Sequence, residues 1–137
     1  MRIFYLDDDQ DDLDFFADFA SQNGFDVELF SSYSDLYNRI DQVKPDIMVL
    51  DLNMPMKSGL EVIKDLRDSK EHCDCCIAVL STASSKMVID KAREQGADVF
   101  LTKPLTMKGW KACLERLKEV HDMDCELPDN EFHFNER

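Results

Sequence analysis

Polar side chains stand at the ends of short apolar runs at four places in the chain. Asp7 and Asp8 follow Ile3-Phe4-Tyr5-Leu6, and Asp51 follows Ile47-Met48-Val49-Leu50. Ser81 follows Cys76-Ile77-Ala78-Val79-Leu80, and Lys103 stands two residues after Val99-Phe100-Leu101. A carboxylate ending a buried apolar run is costly to desolvate unless something cationic sits beside it. Three carboxylates brought together repel by several kcal/mol, because two unit charges ~4 Å apart cost about 4 kcal/mol at an effective dielectric near 20. A hard divalent cation removes that penalty, and magnesium favours few carboxylates together with water and phosphate oxygens. Lys103 adds a fixed positive charge and Ser81 a small hydroxyl donor. A cation, an ammonium and a hydroxyl around one carboxylate suit phosphoryl transfer, with Asp51 as the nucleophile.

The elements that must position these groups alternate along the chain. Four consecutive apolar residues before Asp51 suit a strand buried on both faces, the mark of a parallel sheet covered by helices. Val27-Glu28-Leu29-Phe30 is a weaker strand whose Glu suits an edge. Helices are expected where apolar residues recur at helical spacing: Leu13, Phe16, Phe19 and Ala20; Leu36, Ile40 and Val43; Leu60, Ile63 and Leu66; Val88, Ile89 and Ala92; and Met107, Trp110, Cys113, Leu114, Leu117 and Val120. Asn23-Gly24, Lys44-Pro45 and Gly96 stop the first, second and fourth of these. Ser58-x-x-Glu61 has capping-box form, Ser84 or Ser85 can cap the fourth, and Thr106 the fifth. Strand and helix alternating five times predict an α/β, doubly wound five-stranded parallel sheet with right-handed crossovers and helices on both faces. Sites in such sheets form at the carboxyl ends of strands, where Asp7, Asp8, Asp51, Ser81 and Lys103 fall.

Size and charge narrow the function. The chain has 137 residues, room for one domain, with 44% hydrophobic residues and no apolar run long enough to span a bilayer. Met1-Arg2-Ile3 enters a strand directly, with no signal peptide, so a cytoplasmic protein off the membrane is expected. A net charge of −13 argues against nucleic acid or anionic lipid as a direct partner. Five cysteines, an odd number, suggest small buried or loop thiols and no disulfide framework. His72-Cys73-Asp74-Cys75-Cys76 lacks the paired C-x-x-C spacing of a structural zinc site.

The acidic pair after the first strand, D-x-N-M-P-x-x-x-G from Asp51 to Gly59, S-T-A at Ser81 and K-P at Lys103 together resemble the receiver domain of two-component response regulators, of the stand-alone CheY-like type. The resemblance covers residues 1–120 and implies strand order 2-1-3-4-5. By position it makes Asp51 the phospho-acceptor. Asp8, Asp51 and the backbone carbonyl of Asn53 become direct Mg2+ ligands, with Asp7 acting through water. Lys103 becomes the lysine that contacts the phosphoryl group, Ser81 the switch hydroxyl and Phe100 the aromatic switch position. Thr82 beside Ser81 leaves a one-residue ambiguity, and the 22-residue separation from Lys103 favours Ser81. The resemblance also implies that Lys103-Pro104 is a peptide bond often cis in the family. Its expected partners are a histidine kinase or histidine phosphotransfer protein as donor and a downstream protein reached through the face of the fourth helix, last strand and fifth helix.

Two alternatives belong to other classes. A haloacid-dehalogenase-like phosphatase also uses a strand-end aspartate with magnesium, but needs a second Asp two residues on, where this chain has Asn53. A receiver-like or flavodoxin-like module without phosphorylation would need a Gly-rich phosphate cradle to hold a flavin, and the chain has only four Gly. Asp9, Asp11, Asp12 and Asp14 are read as solvated helix-start residues, Trp110 as core and the seven Met residues mostly as core filling. Residues 121–137 form an acidic tail too short for an output domain. Its Phe132 and Phe134 either dock on the domain or a partner, or belong to a disordered end.

Overall fold

A computed structural model describes residues 1–54, 56–68 and 75–135. Strand β1 (Arg2–Leu6) leads into helix α1 (Gln10–Gln22), β2 (Asp26–Phe30) into α2 (Tyr33–Ile40), and β3 (Ile47–Leu50) into α3 (Gly59–Asp68). β4 (Cys76–Ser81) leads into α4 (Lys86–Gln95) and β5 (Val99–Thr102) into α5 (Met107–Asp122), after which a two-residue strand β6 (His133–Phe134) completes the sheet. All pairings are parallel and the order is β2-β1-β3-β4-β5-β6.

The period of two along each strand sorts the core into two layers. Phe4 and Leu6, with Met48, Leu50, Ile77, Val79 and Phe100, face α2, α3 and α4. Ile3 and Tyr5, with Val49, Ala78, Leu80 and Leu101, face α1 and α5, where Phe16 and Trp110 pack. With every strand side chain from Ile47 to Leu50 buried, hydrogen bonding is left to the parallel ladder, and the strand's carboxyl end becomes a fixed platform for Asp51.

Helix starts follow cap chemistry. Asp9 accepts from the amides of Asp11 and Asp12, Ser32 from Asp35, Ser85 from Val88 and Thr106 from Gly109. Gly96 ends α4 at φ 115°, a left-handed conformation that costs glycine little.

Several expectations need correction. The sheet has six strands, because residues after α5 return to pair with β5; Phe100 stands opposite His133 and Leu101 opposite Phe134. Helix α2 stops at Ile40, three residues before Val43. The amides of Gln42 and Val43 both turn back to the Arg39 carbonyl, and Lys44 Nζ bonds the Ile40 carbonyl, so Val43 reaches the core from a turn. Cys76 and Cys125 are joined by a disulfide with Cα atoms 5.7 Å apart, where unpaired thiols were expected. Asp124 and Cys125 adopt φ of 55° and 63°, reversing the chain after α5 and carrying Cys125 back to the start of β4. His72, Cys73 and Asp74 lie outside the described residues. No described peptide bond is cis, so Lys103–Pro104 is trans. Most methionines are not core filling: Met48 is buried, but Met56, Met87, Met107 and Met123 are exposed, because they sit in loops and helix ends beside the apolar stripes.

Candidate functional site

Parallel register brings the ends of β1, β3, β4 and β5 to one rim of the sheet. The Asp7 amide bonds the Phe30 carbonyl, the Asp51 amide the Leu6 carbonyl and the Lys103 amide the Ser81 carbonyl, at 3.0, 2.9 and 2.8 Å. Asp7, Asp51 and Lys103 are each hung on a neighbour strand by a main-chain bond, so their positions follow from strand pairing.

Carboxylate oxygens of Asp7, Asp8 and Asp51 lie within 4.8 Å of one another. Asp7 and Asp51 are buried and Asp8 is exposed, so the cluster has a closed floor and an open lip. The Lys103 ammonium reaches this floor at 2.8 Å from Asp7 Oδ2 and 3.6 Å from Asp51 Oδ2. A second buried donor, the Tyr5 hydroxyl, bonds Asp7 Oδ2 at 2.5 Å, while the Asp9 amide bonds Asp7 Oδ1 at 3.0 Å. Both oxygens of Asp7 are thus engaged by the protein. Asp51 Oδ1 accepts a long bond from the Asn53 amide, at 3.3 Å.

The electrostatics follow from that geometry. Burial first, and then the charge of Asp7, raise the Asp51 pKa to about 6 against the pull of Lys103. Burial opposes charge on Lys103, but bonds to Asp12 and Asp7 and the field of Asp51 outweigh it and raise its pKa. Burial, and then Asp7, hold the Tyr5 hydroxyl well above its ordinary value, so it remains a donor. Four carboxylates, those of residues 7, 8, 12 and 51, surround one ammonium among the described residues, which leaves a local excess of negative charge.

Ser81 is fully buried at the end of β4, with its Oγ accepting from the Ala83 amide at 3.2 Å, whereas Thr82 is exposed. Phe100 is fully buried in β5, and its ring meets the His133 ring edge-on with centroids 5.6 Å apart. Asn53 is exposed at the lip.

Asp12 was misread as a solvated helix-start residue. Its Oδ2 lies 2.7 Å from Lys103 Nζ, because the first turn of α1 carries it back over the strand ends. Nothing local in the sequence separates Asp12 from the other acids at this helix start, because its partner lies 91 residues away. Gly59 has a steric role as well: a Cβ there would stand 2.8 Å from Leu52 Cα and collide with the Asp51 carbonyl. Only a glycine lets α3 begin against the backbone that carries Asp51.

A parallel sheet of this order with an acidic cluster and a lysine at its carboxyl rim defines a flavodoxin-like α/β fold with a charged strand-end site. Residues 3–115 match the response regulator receiver domain family, and the chain belongs to that family. Response regulator MprA of Mycobacterium avium (strain 104) is 33% identical over 128 residues, covering 90% of this chain and 55% of that protein. The transcriptional regulatory protein KdpE of Staphylococcus aureus (strain NCTC 8325 / PS 47) is 30% identical over 100 residues, covering 71% of this chain and 42% of that protein. The chain thus spans about half the length of these curated relatives. Among solved structures, the Francisella response regulator 1452 receiver domain superposes with TM-score 0.79 at 22% identity, covering 90% of this chain and 98% of that one. The BeF3-activated DrrB receiver domain superposes at 0.70 with 27% identity, covering 86% and 97%. The chain is a response regulator receiver domain, and these matches favour neither the phosphatase nor the unphosphorylated module. No described helix is long and apolar enough to cross a membrane.

Proposed function

We propose that Asp51 is the phospho-acceptor of this receiver and that Asp8, Asp51 and the Asn53 carbonyl hold Mg2+ directly, with Asp7 acting through water. The observation that carries this is the gathering of Asp7, Asp8 and Asp51 within 4.8 Å beside Lys103. The donor set fits the ion: hard oxygens only, with more negative charge than one ammonium balances. Asp7, already bound to Tyr5, Asp9 and Lys103, suits the indirect role, and the exposed Asp8 the direct one. Bound magnesium would neutralise the carboxylates and draw charge from the transferring phosphoryl oxygens.

In the step itself, an Asp51 carboxylate oxygen attacks phosphorus and forms the P–O bond while the P–N bond of the donor phosphohistidine breaks. The electron pair of that bond stays on the departing imidazole nitrogen, which takes a proton from solvent. Lys103, charged at any physiological pH, pairs with the phosphoryl oxygens as they come within reach. The chain in this way catalyses its own phosphorylation and, by in-line water attack, its dephosphorylation, without acting on a separate substrate.

The acyl phosphate carries about −2 charge where the carboxylate carried one negative charge, and it brings three new acceptor oxygens. Ser81 then leaves the Ala83 amide to donate to the new group, and Phe100 repacks behind it, altering the face of α4, β5 and α5 for a downstream protein. Donor and target are proteins, met in the cytoplasm; the acidic surface disfavours direct contact of these residues with nucleic acid. Incubation with a radiolabelled phosphohistidine phosphotransfer protein tests this. Label should move to the wild type and not to Asp51→Asn, and equal labelling of both would refute the assignment.

A further inference from the structure

The sixth strand occupies a specific place. It pairs with the outer edge of β5, where the Phe100 amide donates to the Phe132 carbonyl at 2.9 Å. Arg93 of α4 stands on one side of this edge. Its guanidinium bonds Asp129 at 2.6 Å and lies over the Phe132 ring at 5.1 Å. Arg116 of α5 stands on the other side, bonding the Glu131 carbonyl at 3.3 Å and lying over the Phe134 ring at 5.8 Å. Between them the His133 ring reaches Thr102 Oγ1 at 2.8 Å.

Edge, flanking arginines and aromatic ring seats form a receptor for one kind of segment: an extended strand with an acid three residues before a Phe-x-Phe pair. Main-chain bonds supply affinity in such strand addition, and alternate side chains supply selectivity. The resident segment is anchored mainly by Phe132, which is buried against the core, and is held lightly elsewhere. Its ladder is two residues long, the Asp129 side chain is 97% exposed, and exposed ion pairs contribute little. Tethering adds to that anchor by presenting the segment at an effective concentration on the order of millimolar.

We propose that the β5 edge between Arg93 and Arg116 is a partner-docking surface for an extended acid-x-x-Phe-x-Phe segment of another protein, and that residues 129–134 occupy it as a built-in competitor. An edge left bare would be a template for pairing with any exposed strand, so the resident segment also protects it. The proposal does not rest on phosphoryl transfer, and its test uses no phosphodonor.

The test is fluorescence anisotropy with a labelled peptide of residues 127–135, titrated with the full chain. In the wild type the resident segment competes. The full-length double variant F132S/F134S frees the edge and should bind the peptide at least tenfold more tightly, and adding Arg93→Glu to it should remove that gain. Asp129→Lys, a fully exposed change that leaves the fold alone, should raise wild-type binding severalfold. Equal affinity of wild type and double variant, or no binding to a double variant whose far-UV dichroism is unchanged, would overturn the proposal. Loss of a dimer in the double variant, measured by sedimentation, would assign the edge to a second copy instead and overturn it too.

Discussion

The Lys103 ammonium stands 3.6 Å from Asp51, further than from Asp7 at 2.8 Å or Asp12 at 2.7 Å. The cation of the site is spent mainly on its neighbours, and Asp51 keeps a pKa raised to about 6, first by burial and then by Asp7. The folded protein therefore binds the Asp51 proton more tightly than the unfolded chain does. Stability from this group is fully present below its ordinary pKa near 3.9 and is lost as pH rises through about 6, by at most about 3 kcal/mol. In a chelator, Asp51→Asn should be more stable than wild type by about 1–3 kcal/mol at pH 7.5, with the gap closing between pH 6 and 4. Urea titrations across that range check it, and added Mg2+ should stabilise wild type more than the variant.

Gly59→Ala sets two effects against each other. Helix propensity alone favours alanine at this position by about 1 kcal/mol. The added Cβ would meet main-chain atoms of Asp51 and Leu52, which cannot rotate away, and overpacking of this kind costs about 1–3 kcal/mol. The variant should melt below wild type and bind Mg2+ more weakly, because Asp51 is displaced. A higher melting temperature would mean the helix start has room to move.

Ser81 is fully buried and Phe100 abuts the ring of His133 in the resident strand. Beryllofluoride with Mg2+ should speed amide hydrogen exchange of residues 129–134 in the wild type at least severalfold. Ser81→Ala should still bind beryllofluoride, seen as thermal stabilisation, yet leave that exchange unchanged. The same acceleration in the variant would remove Ser81 from the switch.

The Cys76–Cys125 disulfide closes a separation of 49 residues. A loop of that size constrains the unfolded chain by about 4 kcal/mol in the entropic picture. Peptide mapping without reductant should find residues 76 and 125 in one linked fragment, and Cys125→Ser should lower the urea midpoint under oxidising conditions only. Unlinked peptides from air-oxidised protein would contradict the pairing.

Most of the scaffold was legible because it rests on local signals. Apolar runs of four, caps at Ser85 and Thr106 and the stop at Gly96 each act within a few residues, and the alternation of strands and helices dictates a parallel sheet. The strand-end acids were legible for the same reason. What escaped depends on distant partners. Asp12 looks like any acid in a helix's first turn until Lys103, 91 residues on, comes beside it. Cys125 shows no sign of Cys76, and Phe132 none of the β5 edge, since each meets its partner only after α5 has packed and the chain has turned back. Exposed methionines escaped because composition says nothing about which side of a helix end faces water.

The central claim is that Asp51 takes a phosphoryl group in a cation-bearing cleft. Intact-mass spectrometry after incubation with acetyl phosphate tests it most directly, comparing wild type with Mg2+, wild type with a chelator, and Asp51→Asn with Mg2+. A single hydroxylamine-sensitive phosphoryl adduct in the first sample alone is the predicted result. The same adduct on Asp51→Asn, or an adduct on wild type undiminished by the chelator, would contradict it.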